Sequence, residues 1–407
     1  MTGKLGRQLA AIAAREAEIQ AFVPGTHDPD RVRRAAATAP SGLPLSGVTV
    51  GVKDIMNADG YPTGCGSAIP DEEFEGPEAS AVTRLCEAGA VVMGKTQTTE
   101  FAAFHPCATR NPHNLAHTPG GSSSGSVAAI AAGFCDLAFG TQTGGSTIRP
   151  AAYCGIFGFK PTLGRVALDG VFPYSVSRDH IGLFALELDL IGRAMAALDD
   201  TWRDASEPGF RLAVLEGPYL DQADEPARAH FQATIEKLGD AGFKPRCVRL
   251  VEDALDQRAE LTRLTNADAA RAQARLFPMY RDRYSPRFLE ALEEGRAVTD
   301  AELEDMRSLA ARRQQDMAVL MEAEGIDAWL CPAATCTAPE GLSFTGDWAM
   351  NALWTYTGLP AISLPSGTGD GNLPYGLQVV ARHGQDEELL QLARQISANL
   401  DKPEPIG

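Results

Sequence analysis

Apolar positions along the 407-residue chain change their period several times. Leu5, Leu9, Ile12, Ile19 and Phe22 share one face of a helix, and a connector rich in Pro and Ala follows it to residue 40. From 41 to 200, short apolar runs alternate with Gly and Ser. VTVGVKD (48–54) and AVVMGKT (90–96) predict strands, and ASAVTRLCEAG (79–89) between them predicts a helix with Gly89 as its C-cap. A strand–helix–strand unit implies a parallel pair. SSSGSVAAIAAGF (122–134) predicts a buried helix of small residues, and CDLAFGT (135–141) a further strand. Between about 200 and 330 the pattern turns helical and charged, in ARAHFQATIEKLGDAG, DALDQRAELTRLTNADAARAQARLF and TDAELEDMRSLAARRQQDMAVLMEAEG. The last of these starts at a cap signal, Thr299. Strand-like runs return over 326–381 as IDAWLCP, AISLPSG and YGLQVVA, and a final helix spans roughly 386–399. The expected organisation is one α/β domain over 1–407, with a helical N-terminal segment (1–40) and a helical insertion (200–330).

Charge narrows the function. Lys plus Arg total 36 against 53 for Asp plus Glu, a net charge of −17. Such a surface repels phosphate backbones, so no nucleic-acid role is expected. No stretch approaches the ~20 apolar residues of a membrane span, so no membrane role is expected either. The LAAIAA run at 9–14 is short and meets Arg15 and Glu16 at once, unlike an export signal. The eight cysteines form no CxxC pair and most lie in apolar contexts, as Cys135 does in AAGFCDLAF. They are expected to be reduced core residues of a cytoplasmic protein.

Two Gly/Ser loops carry the densest chemical signal: PGGSSSGS (119–126) and GTQTGGSTIRPA (140–151). Main-chain N–H groups at such turns bind anions. No Lys follows either loop in the GxxxxGK[ST] pattern, which argues against a nucleotide phosphate. The remaining use is an oxyanion cradle beside a nucleophilic serine, which needs a base. Lys53, at the end of a buried strand, supplies one if desolvation leaves its amine neutral. His105, His113 and His117 lie near Cys107, but Pro112 and Pro119 make that segment a loop, so contacts around the site entrance are expected there in place of a metal. There is no HExxH and no Gly-x-Ser-x-Gly elbow.

The strings GVKD, PGGSSSGS and GTQTGGSTIRPAAYCGIFGFKPT resemble the amidase signature family, as do the later GLPAISLPSG and LPYGLQVVARHGQDEELL. The resemblance covers 48–180 and, more loosely, 326–400. It implies the family's fold, a mixed twisted β-sheet sandwiched by helices on both faces. It also implies a Ser–Ser–Lys triad of Ser146 as nucleophile, Ser122 as bridge and Lys53 as base, with a cis peptide bond at Gly121–Ser122. The oxyanion would meet the main-chain N–H groups of Thr143, Gly144, Gly145 and Ser146. No metal or organic cofactor is implied, and a homodimer fits. Family members mostly place Arg two residues after the nucleophile, whereas here Arg149 stands three residues on, similar to malonamidase-type members. If a helix starts at Ser146, that offset puts Arg149 on the face of Ser146, where it would hold a substrate carboxylate.

The expected function is therefore cleavage of the C–N bond of a small amide, with the helical region 200–330 and the 335–352 loop lining the pocket. Two alternatives stand beside it. A component of a transamidating complex, passing ammonia to a charged tRNA, fits less well with the short chain and the Arg149 offset. A non-catalytic binding protein on the same fold has the intact Lys53, Ser122 and Ser146 set against it.

Overall fold

The computed structural model describes residues 2–203, 205, 209–249, 254–403 and 406. Among these, ten strands form one sheet. They are β1 (Thr49–Lys53), β2 (Val91–Thr96), β3 (Leu137–Gln142), β4 (Phe157–Lys160), β5 (His180–Ala185), β6 (Leu212–Glu216), β7 (Arg246–Arg249), β8 (Ala328–Pro332), β9 (Ala361–Thr368) and β10 (Pro374–Ala381). Their spatial order is β2-β1-β3-β5-β4-β9-β10-β8-β6-β7. Parallel pairs lie at both ends, β2-β1-β3 and β8-β6-β7, around an antiparallel centre.

The N-terminal segment holds α1 (Thr2–Ile19) and α2 (Pro29–Thr38). The expected Pro- and Ala-rich connector is thus a second helix. Asp28 caps it by accepting from the Asp30 N–H, and Pro29 opens it with a preset φ. Then come α3 (Ser80–Glu87), α4 (Ser124–Ala131), α5 (Ile148–Tyr153) and α6 (Leu188–Leu198). Gly89 lies just beyond α3 at φ +101°, a conformation open to glycine.

Residues 200–330 carry α7 (Glu225–Asp240), α8 (Ala254–Ala272), α9 (Phe277–Tyr280), α10 (Pro286–Arg296) and α11 (Asp300–Ala323). Asp253, read as the start of the second helical run, lies outside the described residues. Thr299 caps α11 in a capping box with Glu302. This stretch is not purely helical, because β6 and β7 extend the same sheet from within it. The chain ends with α12 (Ala349–Tyr356) and α13 (Asp386–Ser397).

Helices cover both faces of the sheet. Val50 and Val52 of β1 and Leu137 and Phe139 of β3 join a core with α3, α6 and α13. Val91, Met93 and Ala138 join another with α1 and α4. Strand alternation therefore turns Gly51 and Lys53 away from the first core and toward α4. No described helix is long and apolar enough to cross a membrane.

Candidate active site

Lys53 ends β1 with its side chain fully buried. Its Nζ lies 2.7 Å from Ser122 Oγ, 2.8 Å from Thr141 Oγ1 and 3.1 Å from Ser123 Oγ. Burial brings its pKa down to about 7, with the charges of Asp179 and Cys107 opposing that fall. A second buried lysine shows the contrast. Lys95 on β2 is paired with Asp54 at 2.9 Å, so the Asp of the GVKD motif serves Lys95 and leaves Lys53 among hydroxyls.

Ser122 follows a cis peptide bond, Gly121–Ser122, at the entry to α4. The neighbouring serines are spent on carbonyls: Ser124 Oγ donates to Gly120 O at 2.7 Å and Ser126 Oγ to Phe139 O at 2.7 Å. Ser123 is the exception, because it also receives Lys53.

Ser146 lines a cavity of about 150 Å3 together with Thr143, Gly144, Gly145 and Arg149. The structure joins Lys53 to Ser122, but among the described residues no hydrogen bond joins Ser122 to Ser146. Nor does any acceptor among them take the main-chain N–H groups of Thr143, Gly144, Gly145 or Ser146. The cradle sits tightly under α12. A Cβ on Gly145 would lie 2.4 Å from Asn351 Oδ1, and one on Gly144 would lie 3.0 Å from the Trp348 ring.

The helix after the loop begins at Ile148 with Thr147 as its cap, not at Ser146 as the offset argument assumed. Arg149 nonetheless opens into the same cavity. It is 4% exposed, and its Nη2 donates to Gly121 O at 2.6 Å. Its Nε and Nη1 have no partner among the described residues. Burial lowers its pKa from the ordinary value, yet a guanidinium stays charged. Arg258 and Arg287 line the cavity too, against one carboxylate, Asp347, which lies 3.0 Å from Arg258. The wall is thus net positive and holds unsatisfied donors, a setting that favours a carboxylate.

The lining residues come from the expected regions: Arg258, Thr262, Thr265 and Asn266 on α8, and 344–348 before α12. Trp348 lines the cavity, whereas Trp354 and Tyr356 are core. His113 Nε2 and His117 Nδ1 lie 3.1 and 2.8 Å from the backbone carbonyls of Cys154 and Ala338.

Sequence reasoning left Asp179 and His180 unplaced. Asp179 is buried; it accepts from Thr143 Oγ1, from Tyr174 N at 2.9 Å and from Ser175 N at 3.0 Å. Burial pushes its pKa up to about 6, and the Thr143 hydroxyl, those two amides and Lys53 hold it from rising further. His180 Nδ1 faces the carbonyls of Arg178 and Gln142, and burial keeps the ring neutral. No local motif marks either residue.

A buried amine without a carboxylate, bonded to serine beside a cradle of free amides, defines a class: serine hydrolases that use lysine in place of histidine. The family model described as Amidase matches residues 8–390, and the chain belongs to the amidase signature family. It is an amidase by that membership, of the hydrolases acting on linear amide C–N bonds. It is similar to the A chain of glutamyl-tRNA(Gln) amidotransferase from Synechococcus sp. (strain RCC307), with 34% identity over 97% of this chain and 93% of that one. The same-named protein of Thermus thermophilus is 33% identical over 93% and 90%. Among solved structures, one described as an amidase superposes with a TM-score of 0.88 at 28% identity, covering 98% and 96% of the two chains. A substrate complex of 6-aminohexanoate cyclic dimer hydrolase superposes at 0.87 with 25% identity, covering 100% and 96%.

Proposed function

We propose that the chain cleaves a small carboxylate-bearing amide through a Ser146 acyl-enzyme. Neutral Lys53 takes a proton from Ser122, and Ser122 takes one from Ser146. Ser146 Oγ adds to the amide carbonyl, and the oxyanion is received by the N–H groups of Thr143, Gly144, Gly145 and Ser146. The proton returns through Ser122 to the leaving nitrogen, the C–N bond breaks, and water hydrolyses the ester. The missing Ser122–Ser146 bond is compatible with this route, because catalytic hydrogen bonds often tighten only when substrate is bound. Arg149 takes the substrate carboxylate on Nε and Nη1; the malonamidase-type likeness rests on this residue alone.

The observation that carries the reading is Lys53, wholly buried, 2.7 Å from Ser122, with its pKa brought to about 7. The test is ammonia release from paired small amides with and without a free carboxylate, for wild type and Ser146→Ala. Release that survives Ser146→Ala would remove the proposal.

A second reading, the amidase component of a transamidating complex, is favoured by the similarity to amidotransferase chains over nearly the whole length. Against it, the alignment to the Synechococcus relative spans 465 positions, more than the chain holds, so that relative carries stretches this one lacks. Ammonia release by the purified chain alone supports the first reading. Release that begins only when partner proteins are added supports the second. A cytoplasmic location and a homodimer belong to the same proposal and rest on the cysteine pattern and the family resemblance.

A further inference from the structure

Gln142 stands in the middle of GTQTGGST, and neither the triad nor the oxyanion cradle uses it. It is the last residue of β3 and is fully buried. Its Oε1 accepts from the main-chain N–H groups of Thr147 at 2.8 Å and Ile148 at 3.0 Å. Its Nε2 donates to Thr355 Oγ1 on α12 at 2.9 Å, and Thr355 Oγ1 donates in turn to Gly144 O at 2.6 Å. The chain of bonds thus leaves the cradle at one end and re-enters it near the other. We infer that Gln142 and Thr355 act as one positioning unit that sets the direction of the 143–146 amides, an inference that deepens the proposed function and rests on it.

Peptide geometry supplies the reason. In a trans peptide the C=O of one residue and the N–H of the next point in opposite directions. Thr355 draws the Gly144 carbonyl toward α12, so the Gly145 N–H must point the other way. Gly145 lines the cavity and Thr355 does not. Gln142 fixes the Thr147 N–H, and through the same rule the Ser146 carbonyl. A loop with two consecutive glycines has broad backbone freedom, and nothing inside Thr143–Ser146 restrains it. The restraint comes from two side chains held in the core, which lets the loop present donors before substrate arrives. Neither side chain touches the reacting atoms.

The experiment uses Gln142→Leu, Thr355→Val, Thr355→Ser and the Leu/Val double variant. Ser146 is labelled with an alkyl fluorophosphonate, whose adduct places a phosphoryl oxygen where the oxyanion would sit. The rate of labelling is measured well below each variant's melting temperature. Labelling by Gln142→Leu and Thr355→Val should slow about 10²-fold, the scale of a small misplacement in a reactive site. The double variant should be within a few-fold of the slower single one, because the two act as a unit. Thr355→Ser should return to near the wild-type rate, since it keeps the hydroxyl. Labelling that stays at the wild-type rate in folded Gln142→Leu and Thr355→Val overturns the inference, as does a Thr355→Val defect that Thr355→Ser fails to repair.

If wild-type Ser146 takes no label, the nucleophile assignment has failed, and hydrogen exchange still decides the clamp. Amides 144–148 should exchange faster in both single variants, and unchanged exchange there overturns it. If Gln142→Leu does not fold, the Thr355 pair carries the comparison alone.

Discussion

Replacing Arg149 by Leu separates carboxylate recognition from amide chemistry. Two guanidinium nitrogens, Nε and Nη1, are buried without partners among the described residues, in the cavity that Ser146 lines. A hydrogen bond to a charged group contributes roughly 1.5–3 kcal/mol, so two to a substrate carboxylate are worth about 3–6 kcal/mol. At 1.4 kcal/mol per tenfold, kcat/KM for a carboxylated amide should fall by about 10²–10⁴. The third nitrogen complicates the measurement in a useful way. Nη2 holds Gly121 O at 2.6 Å, next to Ser122, so the substitution also loosens the bridge and slows every substrate. The informative quantity is therefore a ratio, kcat/KM for the free acid over that for its methyl ester, compared between wild type and variant. The ratio should collapse by two or more powers of ten while the ester loses much less. If acid and ester lose equally, Arg149 supports the Gly121 turn and does not recognise the substrate.

Three further expectations can be checked independently. Lys53 must be neutral to act, so kcat/KM should rise through pH 7 with its pKa of about 7; a flat profile down to pH 5 would exclude it as the base. The same fall from 10.5 means the unfolded chain binds more protons than the folded one between pH 7 and 10.5, so this lysine costs stability that is recovered as pH rises across that window. Lys53→Met should be inactive yet no less heat-stable than wild type at pH 7, whereas a lower melting temperature would contradict a neutral buried amine. Lys95→Met should cost about 3–5 kcal/mol in urea unfolding by stranding Asp54, and Lys95→Met with Asp54→Leu should recover much of that. Gly145→Ala drives a Cβ to 2.4 Å from Asn351 Oδ1, which should cost about 1–3 kcal/mol and slow Ser146 labelling; wild-type stability and labelling would show that α12 does not confine the cradle.

What the sequence revealed and what it hid divide along a physical line. Elements set by local period and end signals were legible: β1, β2 and α3 with Gly89 beyond it, and α11 with its Thr299 cap. The second helix of the N-terminal segment was also locally encoded, by Asp28 and Pro29, but its Ala-rich body lacks a strong apolar stripe and reads as a connector. β7 carries two arginines and is largely exposed at the sheet edge, so its pairing with β6 has no signature in its own residues. The site follows the same rule. Lys53 and Ser122 are 69 positions apart, yet both sit in dense local motifs and were found. Asp179 and Thr355 act across long separations through single bonds to the loop, and neither has a motif around it. Arg149 was found for a reason the structure amends: the helix starts two residues later than assumed, and it is the loop, not a shared helix face, that brings Arg149 to the cavity of Ser146.

The two readings of function differ outside the reacting atoms. Lys53, Ser122, the cradle and the cavity cations act on an amide carbonyl in either case, and the ammonia leaves the same tetrahedral centre. What differs is whether nitrogen meets bulk water or a second protein. A net charge of −17 opposes direct contact with a phosphate backbone, so any role beside tRNA would need other proteins to make that contact. That makes the isolated chain a decisive preparation. If it turns over a carboxylated amide at the pH where Lys53 is neutral, with no partner present, the charge and the chemistry agree on a self-sufficient amidase. If Ser146 takes a fluorophosphonate label yet no amide is turned over, the relay is intact and what is missing is a partner that completes or opens the cavity.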